Sequence, residues 1–371
     1  MTTMHSPAIK VGFVLLSHSR RPIPSTRIAV LNMFPFLREA GFDPHIVFEP
    51  EQATETPDVS GLAPRLIGEG FQIIVFQKVG GSSVESLARE LGAAGIRTVF
   101  CVCDFIDEGM AEATDATVVV TDFLKSLYPP ALQHKIHVVH DGIEHPELFR
   151  SHASRRHGSL GDPLRAVLVT SVSYEHLPQI ITPPRWLKVT IVGRYVPSEA
   201  VVKRIGQMRR KFLRCRDTRQ RLAYLRFMAD WTIRCAAWDP VDVYRRMRDA
   251  DVGIIPIDAV EPAPGSAETV PSWKVKSENR LSMKMCMGLP VIATPIPSYE
   301  PLIRQGENGF FAHTRNDWID HLDTLRDPAV RERIGQAART SVLQRYSMEE
   351  QARLLANVLG SLVKDDISCR S

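Results

Sequence analysis

FRSHASRRHGSLGDPLRAVLVT, residues Phe149–Thr170, is the point where the chain lapses and then starts again. Up to Pro163 it is polar and basic with no apolar period, as linkers are. From Ala166 it becomes a short apolar run that reads as a buried strand. On the N-terminal side of this break, strands are expected at Ile9–Ser17, His45–Phe48, Ile73–Phe76, Thr98–Val102, Thr117–Val120 and Ile136–Val139. On the C-terminal side they are expected at Ala166–Thr170, Val189–Val192, Ile233–Ala236, Val252–Ile257 and Val291–Ala293. Amphipathic helices fall between the strands. One of them is expected over Thr26–Ala40, with Ser25 as its N-cap and Gly41 as its stop. Three more close the chain, at Arg315–Leu325, Ala329–Arg345 and Met348–Val363. Alternation of this kind specifies a doubly wound parallel α/β sheet. A sheet on each side of the break gives two Rossmann-like domains, residues 1–155 and 156–345, and 371 residues suffice for both. Ligands of such sheets bind beyond the carboxyl ends of the strands, so a cleft faced by both domains is the expected site.

Composition narrows the class. A net charge of +4 is too small an excess to call for nucleic acid. Six cysteines lie scattered, mostly in apolar runs; Cys101 and Cys103 are too close for paired zinc ligands. Reduced, buried thiols are expected. Residues 1–10 have no apolar segment of the signal-peptide kind, and no run is long enough for a membrane span. A cytoplasmic protein is expected.

GLPVIATPIPSYEPLIRQGENGFF, Gly288–Phe311, resembles the donor-domain signature of the GT4-type retaining glycosyltransferases. DVGIIPI (Asp251–Ile257) resembles the strand that precedes that signature. HVVHDGIEHPELF (His137–Phe149) resembles the segment closing the first domain, and Tyr346–Leu362 resembles the last helices, which cross back to it. The resemblance implies a GT-B fold, with residues 346–371 returning to the N-terminal domain. It implies glycosyl transfer with retention, a nucleotide-sugar donor, and neither cofactor nor metal. The chain departs from the pattern at two places. Val275 and Met283 stand where relatives carry paired glutamates, and PIPSTR (Pro22–Arg27) replaces the usual Gly-Gly loop.

At that donor position the chain reads KSENR, Lys276–Arg280. A diphosphate leaving group without a metal needs cationic donors and helix N-termini. If a helix opens here, Lys276 and Arg280 share one face, and Asn279 can serve a hydroxyl. Lys276 and Arg280 are therefore the expected catalytic residues, ahead of the plainer reading of a solvated helix start. Ser298 and Tyr299 are expected to open the next helix and offer amides to the donor; simple capping is equally compatible. Gly193 and Arg194 end a strand where the family's nucleotide approaches, although a surface arginine would look the same.

In the first domain, Gln77, Lys78, Gly80 and Gly81 leave a strand in a turn suited to anions. The resemblance implies acceptor or sugar contacts at this loop, and Lys78 is the best candidate for one, ahead of a simple capped turn. Asp104 is expected to orient an acceptor hydroxyl or a catalytic neighbour, or, with equal weight, to cap a helix, and Arg27 to reach the cleft or cover a helix. His18, His140 and Asp141 also stand at strand ends. The implied retention needs no dedicated base, and none is assigned.

Lys203–Arg226 holds ten Lys or Arg and one acid, Asp217. Ile205, Met208, Phe212, Cys215, Leu222 and Leu225 form an apolar stripe at helical spacing. The preferred reading packs this stripe into the core, with the charges solvated. Weak peripheral contact with an anionic membrane, at its inner face, or contact with a polyanion is the alternative. The leading function is transfer of a sugar to an acceptor hydroxyl, the acceptor being a saccharide, lipid-linked, small or macromolecular. A sugar-nucleotide epimerase and a non-catalytic nucleotide- or partner-binding homologue are the alternatives. Nucleic acid is not an expected partner, since a single basic helix with few aromatics makes no such surface.

Overall fold

The computed structural model describes residues 8–149, 162–170, 183–197, 199–259, 261 and 270–368. Most of the expected linker (residues 150–161) and Cys369 lie outside the described residues. The chain forms two compact units. The first comprises residues 1–144, Lys274–Glu278 and Tyr346 onward; the second comprises His145–Trp273 and Asn279–Arg345.

The first unit contains β1 (Ile9–Leu15), β2 (Phe42–Phe48), β3 (Ile73–Gln77), β4 (Arg97–Val102), β5 (Ala116–Val119) and β6 (Ile136–Val138). They form one sheet of order β2-β1-β3-β4-β5-β6, every pair parallel. β3 reads IIVFQ and is buried throughout, as a central strand covered on both faces must be. β2 carries Pro44 and is only partly buried, which suits its edge position. One face of the sheet packs Phe13, Val75 and Val99 against Leu355 and Leu359 of the C-terminal helix Met348–Ser368. That helix is fastened where Ile143 N–H donates to Tyr346 O (2.8 Å) and His140 N–H donates to Gln351 Oε1 (2.8 Å).

The single helix expected over Thr26–Ala40 is broken. It is a helix Pro24–Ala29, a 3-10 turn Leu31–Met33 and a second helix Phe34–Glu39. Pro35 explains the break, since it has no N–H to donate and its ring crowds the preceding turn. Pro24 opens the first piece behind Ile23, so Ser25 is not the N-cap.

The second unit contains β7 (Leu164–Val169), β8 (Leu187–Gly193), β9 (Ile233–Ala237), β10 (Val252–Ile255), β11 (Val291–Ala293) and β12 (Phe310–Phe311). Its order is β12-β11-β10-β7-β8-β9, again all parallel. Leu168, Ile191, Ile254 and Ile292 pack one face with Trp318 and Ile334, and Val167 and Val192 pack the other with Tyr244 and Met287. At the amino edge, Arg165 grips Asp251 through Nε and Nη2 at 3.0 Å each.

The basic stretch does not form one helix packed by its stripe. It forms two, Val201–Arg214 and Thr218–Ala229, because Asp217 stops to cap the second by accepting from Gln220 N–H at 2.7 Å. Of the expected stripe, Cys215 is buried, whereas Ile205, Leu222 and Leu225 are exposed. Tyr224 and Phe227 supply the buried face instead.

Candidate functional site

Parallel strands place all their carboxyl ends along one edge of a sheet, and the crevice opens where strand order reverses. In the first unit the reversal lies at β1 and β3. Gln77, the last residue of β3, is buried: its Oε1 accepts from Leu16 N–H (3.3 Å) and from Thr26 Oγ1 (2.9 Å). It ties two strand ends together and presents little to a ligand. Lys78 follows with φ of +57°, a left-handed conformation rare for a side-chain-bearing residue. Its N–H donates to Cys101 O at 2.7 Å, which holds the kink. The kink aims Nζ at Asp104 Oδ1 (2.9 Å) and Glu55 Oε1 (3.0 Å). Burial opposes the Lys78 charge, but the carboxylates of Asp104 and Glu55 outweigh it and hold its pKa above that of an ordinary lysine.

The glycine turn behind it serves the fold. Gly80 N–H donates to Glu55 O (2.8 Å), and a side chain at Gly80 would strike the Asp107 carboxylate. Gly81, with φ of +86°, starts the helix Ser82–Ala93. Thus two expected contacts, Lys78 and Asp104, form one ion pair. Arg27 is placed otherwise, gripping Glu144 bidentately at 2.7 and 2.9 Å beside Asn32.

Beyond β6 lies a cluster around His140 and Asp141, strand-end residues to which the sequence assigned no role. His140 Nδ1 is 2.8 Å from Val120 O and 2.8 Å from Glu278 Oε1. Both neighbours are acceptors, so the proton is assigned to Nδ1. The N–H serves Val120, and neither Glu278 oxygen has a hydrogen-bond partner, although the side chain is only 1% exposed. Asp141 is buried alongside. Burial, and next the Glu278 charge, push its carboxyl up to about 7, against a hydrogen bond from Ser277 and the charge of His140. His140, Asp141, Lys78, Cys101 and Cys103 line one pocket of this unit. Burial pushes the thiols of Cys101 and Cys103 up as well, so they stay protonated. The strand-end positions of His140 and Asp141 were a legible signal. Nothing in KSENR announces that its glutamate is buried.

In the second unit the strand order reverses at β7 and β10. Gly193 ends β8, and an added Cβ would lie 2.6 Å from Thr170 O. The glycine is therefore required by backbone packing, whatever else approaches it. Arg194 next to it is exposed at the carboxyl edge.

The KSENR segment is divided. Lys274–Glu278 belongs to the first unit, and Asn279 and Arg280 begin the helix Asn279–Cys286 of the second. Lys276 precedes that helix, so the expected shared helix face with Arg280 does not exist. On this helix Lys284 is fully buried, with Nζ donating to Arg280 O at 3.0 Å. Burial, followed by the Arg280 charge, pushes its pKa down to about 7. Its aliphatic stem occupies the space that Gly253 leaves open.

Ser298 and Tyr299 do not open a helix either. Residues 297–302 form turns, with Tyr299 N–H donating to Ile296 O at 2.8 Å. Pro295, Pro297 and Pro301 each lack the N–H a continuing helix would need. Tyr299 is a fully buried anchor, and Ser298 Oγ is buried with no hydrogen-bond partner among the described residues.

Residues 209–357 match the family model described as glycosyl transferase-like. Several solved glycosyltransferases share the fold over almost the whole length. One from Rickettsia africae ESF-5 is 12% identical with a TM-score of 0.67, the match covering 97% of this chain and 100% of that one. HepE of Anabaena, solved with UDP and glucose, is 12% identical with a TM-score of 0.63, covering 95% and 100%. WaaB, a lipopolysaccharide outer core galactosyltransferase solved in its apo form, is 11% identical with a TM-score of 0.57, covering 95% and 99%. No curated protein matches in sequence. The likeness is one of architecture: two six-stranded parallel α/β units in the GT-B fold.

Proposed function

We propose that this chain is a glycosyltransferase that moves a sugar from a nucleoside-diphosphate donor to an acceptor hydroxyl, with retention at the anomeric carbon. The observation that carries this reading is the family match over residues 209–357, which spans β10, the KSENR segment and β11. HepE has been solved with UDP and with UDP-glucose, which makes UDP the first nucleotide to test.

In this reading Arg280 and Asn279, in the first turn of their helix, hold the diphosphate. The guanidinium supplies a bidentate grip, and the helix start adds amide donors. Arg194 and Ser298 Oγ add contacts at the carboxyl edge of the same sheet, and Lys276 is assigned a second cation's role toward the diphosphate. Glu278 accepts hydrogen bonds from sugar hydroxyls, the chemistry that relatives obtain from glutamates where this chain has Val275 and Met283. A buried carboxylate without donors has the capacity for this. Lys78 and Asp104 orient the acceptor. Positioning and stabilisation of the leaving diphosphate provide the catalysis, without a metal.

The experiment is a donor screen. The protein is incubated with uridine, guanosine, adenosine and thymidine diphosphate sugars, with and without magnesium, and release of free nucleoside diphosphate is followed. Release from one donor that falls in Arg280→Ala supports the reading. No release from any donor, with simple acceptors supplied, counts against it.

A further inference from the structure

The helices Val201–Arg214 and Thr218–Ala229 turn apolar and cationic side chains outward together. Every exposed large apolar side chain among the described residues, apart from Ile46 and Ile67, falls within Val201–Val241. Val202 is 84% exposed and Trp231, just past the second helix, 72%. Val202, Ile205 and Leu213 lie within about 80° of one another on a 3.6-residue period. Arg209 projects among them, and Lys203, Arg210 and Arg214 form the adjoining strip. The second helix repeats the arrangement. Leu222 and Leu225 are exposed beside Arg219 and Arg226, while Tyr224 and Phe227 face inward.

The nearby acids are too few to offset this charge, since Lys203–Arg226 holds ten Lys or Arg against Asp217 alone, and those that are near accept from local backbone. Asp217 caps Gln220 N–H, Asp230 accepts from Thr232 N–H, and Asp239 accepts from the N–H groups of Val241 and Asp242.

A polyanion such as RNA would use the cations but leave the Val, Ile and Leu side chains in water. A bilayer surface with anionic headgroups uses both. Arginine stems lie along the apolar layer while their guanidinium groups reach phosphates, and tryptophan favours the same boundary. No helix among the described residues is long and apolar enough to cross a membrane, which leaves attachment at the surface. We propose that the exposed faces of these two helices, with Trp231, attach the protein to the surface of an anionic lipid bilayer. This holds whether or not the chain transfers sugar.

The test is co-sedimentation of the full chain with vesicles of phosphatidylcholine alone and of phosphatidylcholine mixed with phosphatidylglycerol. The expected result is sedimentation with the anionic vesicles only. The variant R209Q/R210Q/R214Q is expected to lower the partition constant about a hundred-fold, at about five-fold per cation. The variant I205S/L213S/L225S is expected to lower it at least ten-fold. Both should retain the wild-type Tm, since these side chains face solvent. Absence of sedimentation with anionic vesicles overturns the proposal. So does binding that the arginine variant loses and the serine variant keeps, particularly if an RNA oligonucleotide binds equally well; that pattern denotes a polyanion site.

Discussion

Glu278 Oε1 stands 2.8 Å from His140 Nδ1, whose N–H serves Val120 O, also at 2.8 Å. The carboxylate is thus held close to a partner that does not satisfy it, in a place almost without solvent. Such a group costs stability unless something else uses it, and a substrate hydroxyl is the natural donor.

Glu278→Gln is therefore expected to lower kcat/KM by roughly 10- to 150-fold, the loss of a charged hydrogen bond of about 1.5–3 kcal/mol. Its Tm should equal or exceed that of the wild type, because a buried charge is removed. Wild-type kinetics would return Glu278 to a structural role.

Asp141 yields a pH prediction. Its folded pKa of about 7 lies above the ordinary carboxylate value of 3.8. The protonated form is the one favoured by folding, so its stability contribution is complete below the unfolded value and is lost as pH rises through about 7. Asp141→Asn mimics the neutral form. The variant should melt with the wild type in acid and above it at pH 8, the gap opening between these limits. A constant gap across that range would show that Asp141 does not titrate there.

Lys284 behaves in the opposite sense. Its folded pKa of about 7 lies below the ordinary 10.5. The stability it contributes as a neutral amine is present above 10.5 and is lost as pH falls through about 7. Lys284→Met keeps the stem beside Gly253 and removes the titrating group. It should gain Tm over the wild type as pH is lowered from 10 to 6. Equal Tm values throughout would place the amine in water in solution.

The Lys78–Asp104 pair separates two roles. Asp104→Asn removes the charge 2.9 Å from Lys78 Nζ without changing size. The acceptor KM is expected to rise several-fold, with nucleotide affinity unchanged. Equal loss of both would contradict an acceptor role.

Eleven of the strands were legible, the central ones because strands covered on both faces are written as apolar runs and edge strands such as β2 and β9 because their short runs alternate with helices. β12, only Phe310–Phe311, is too short to be read that way. The break at Pro35 was written in the sequence too, but the apolar period across Thr26–Ala40 masked it. The stripe of Ile205, Leu222 and Leu225 shows the reverse failure. Helical periodicity marks an apolar face, and nothing in it says whether core or solvent lies opposite. The KSENR segment was legible as charge alone. That Glu278 is buried depends on His140 and Asp141, which approach it only in the fold. That Lys276 and Arg280 share no helix depends on where the helix starts.

Nucleoside-diphosphate binding, followed by thermal shift with UDP, GDP, ADP, TDP and CDP for the wild type and Arg280→Ala, decides whether the fold takes a nucleotide-sugar donor. One diphosphate, at a hundred times its dissociation constant, is expected to stabilise the wild type by about 2.7 kcal/mol, and the variant by much less. Failure of all five to raise the wild-type Tm, with and without magnesium, would contradict the claim that this fold handles a nucleotide-sugar donor.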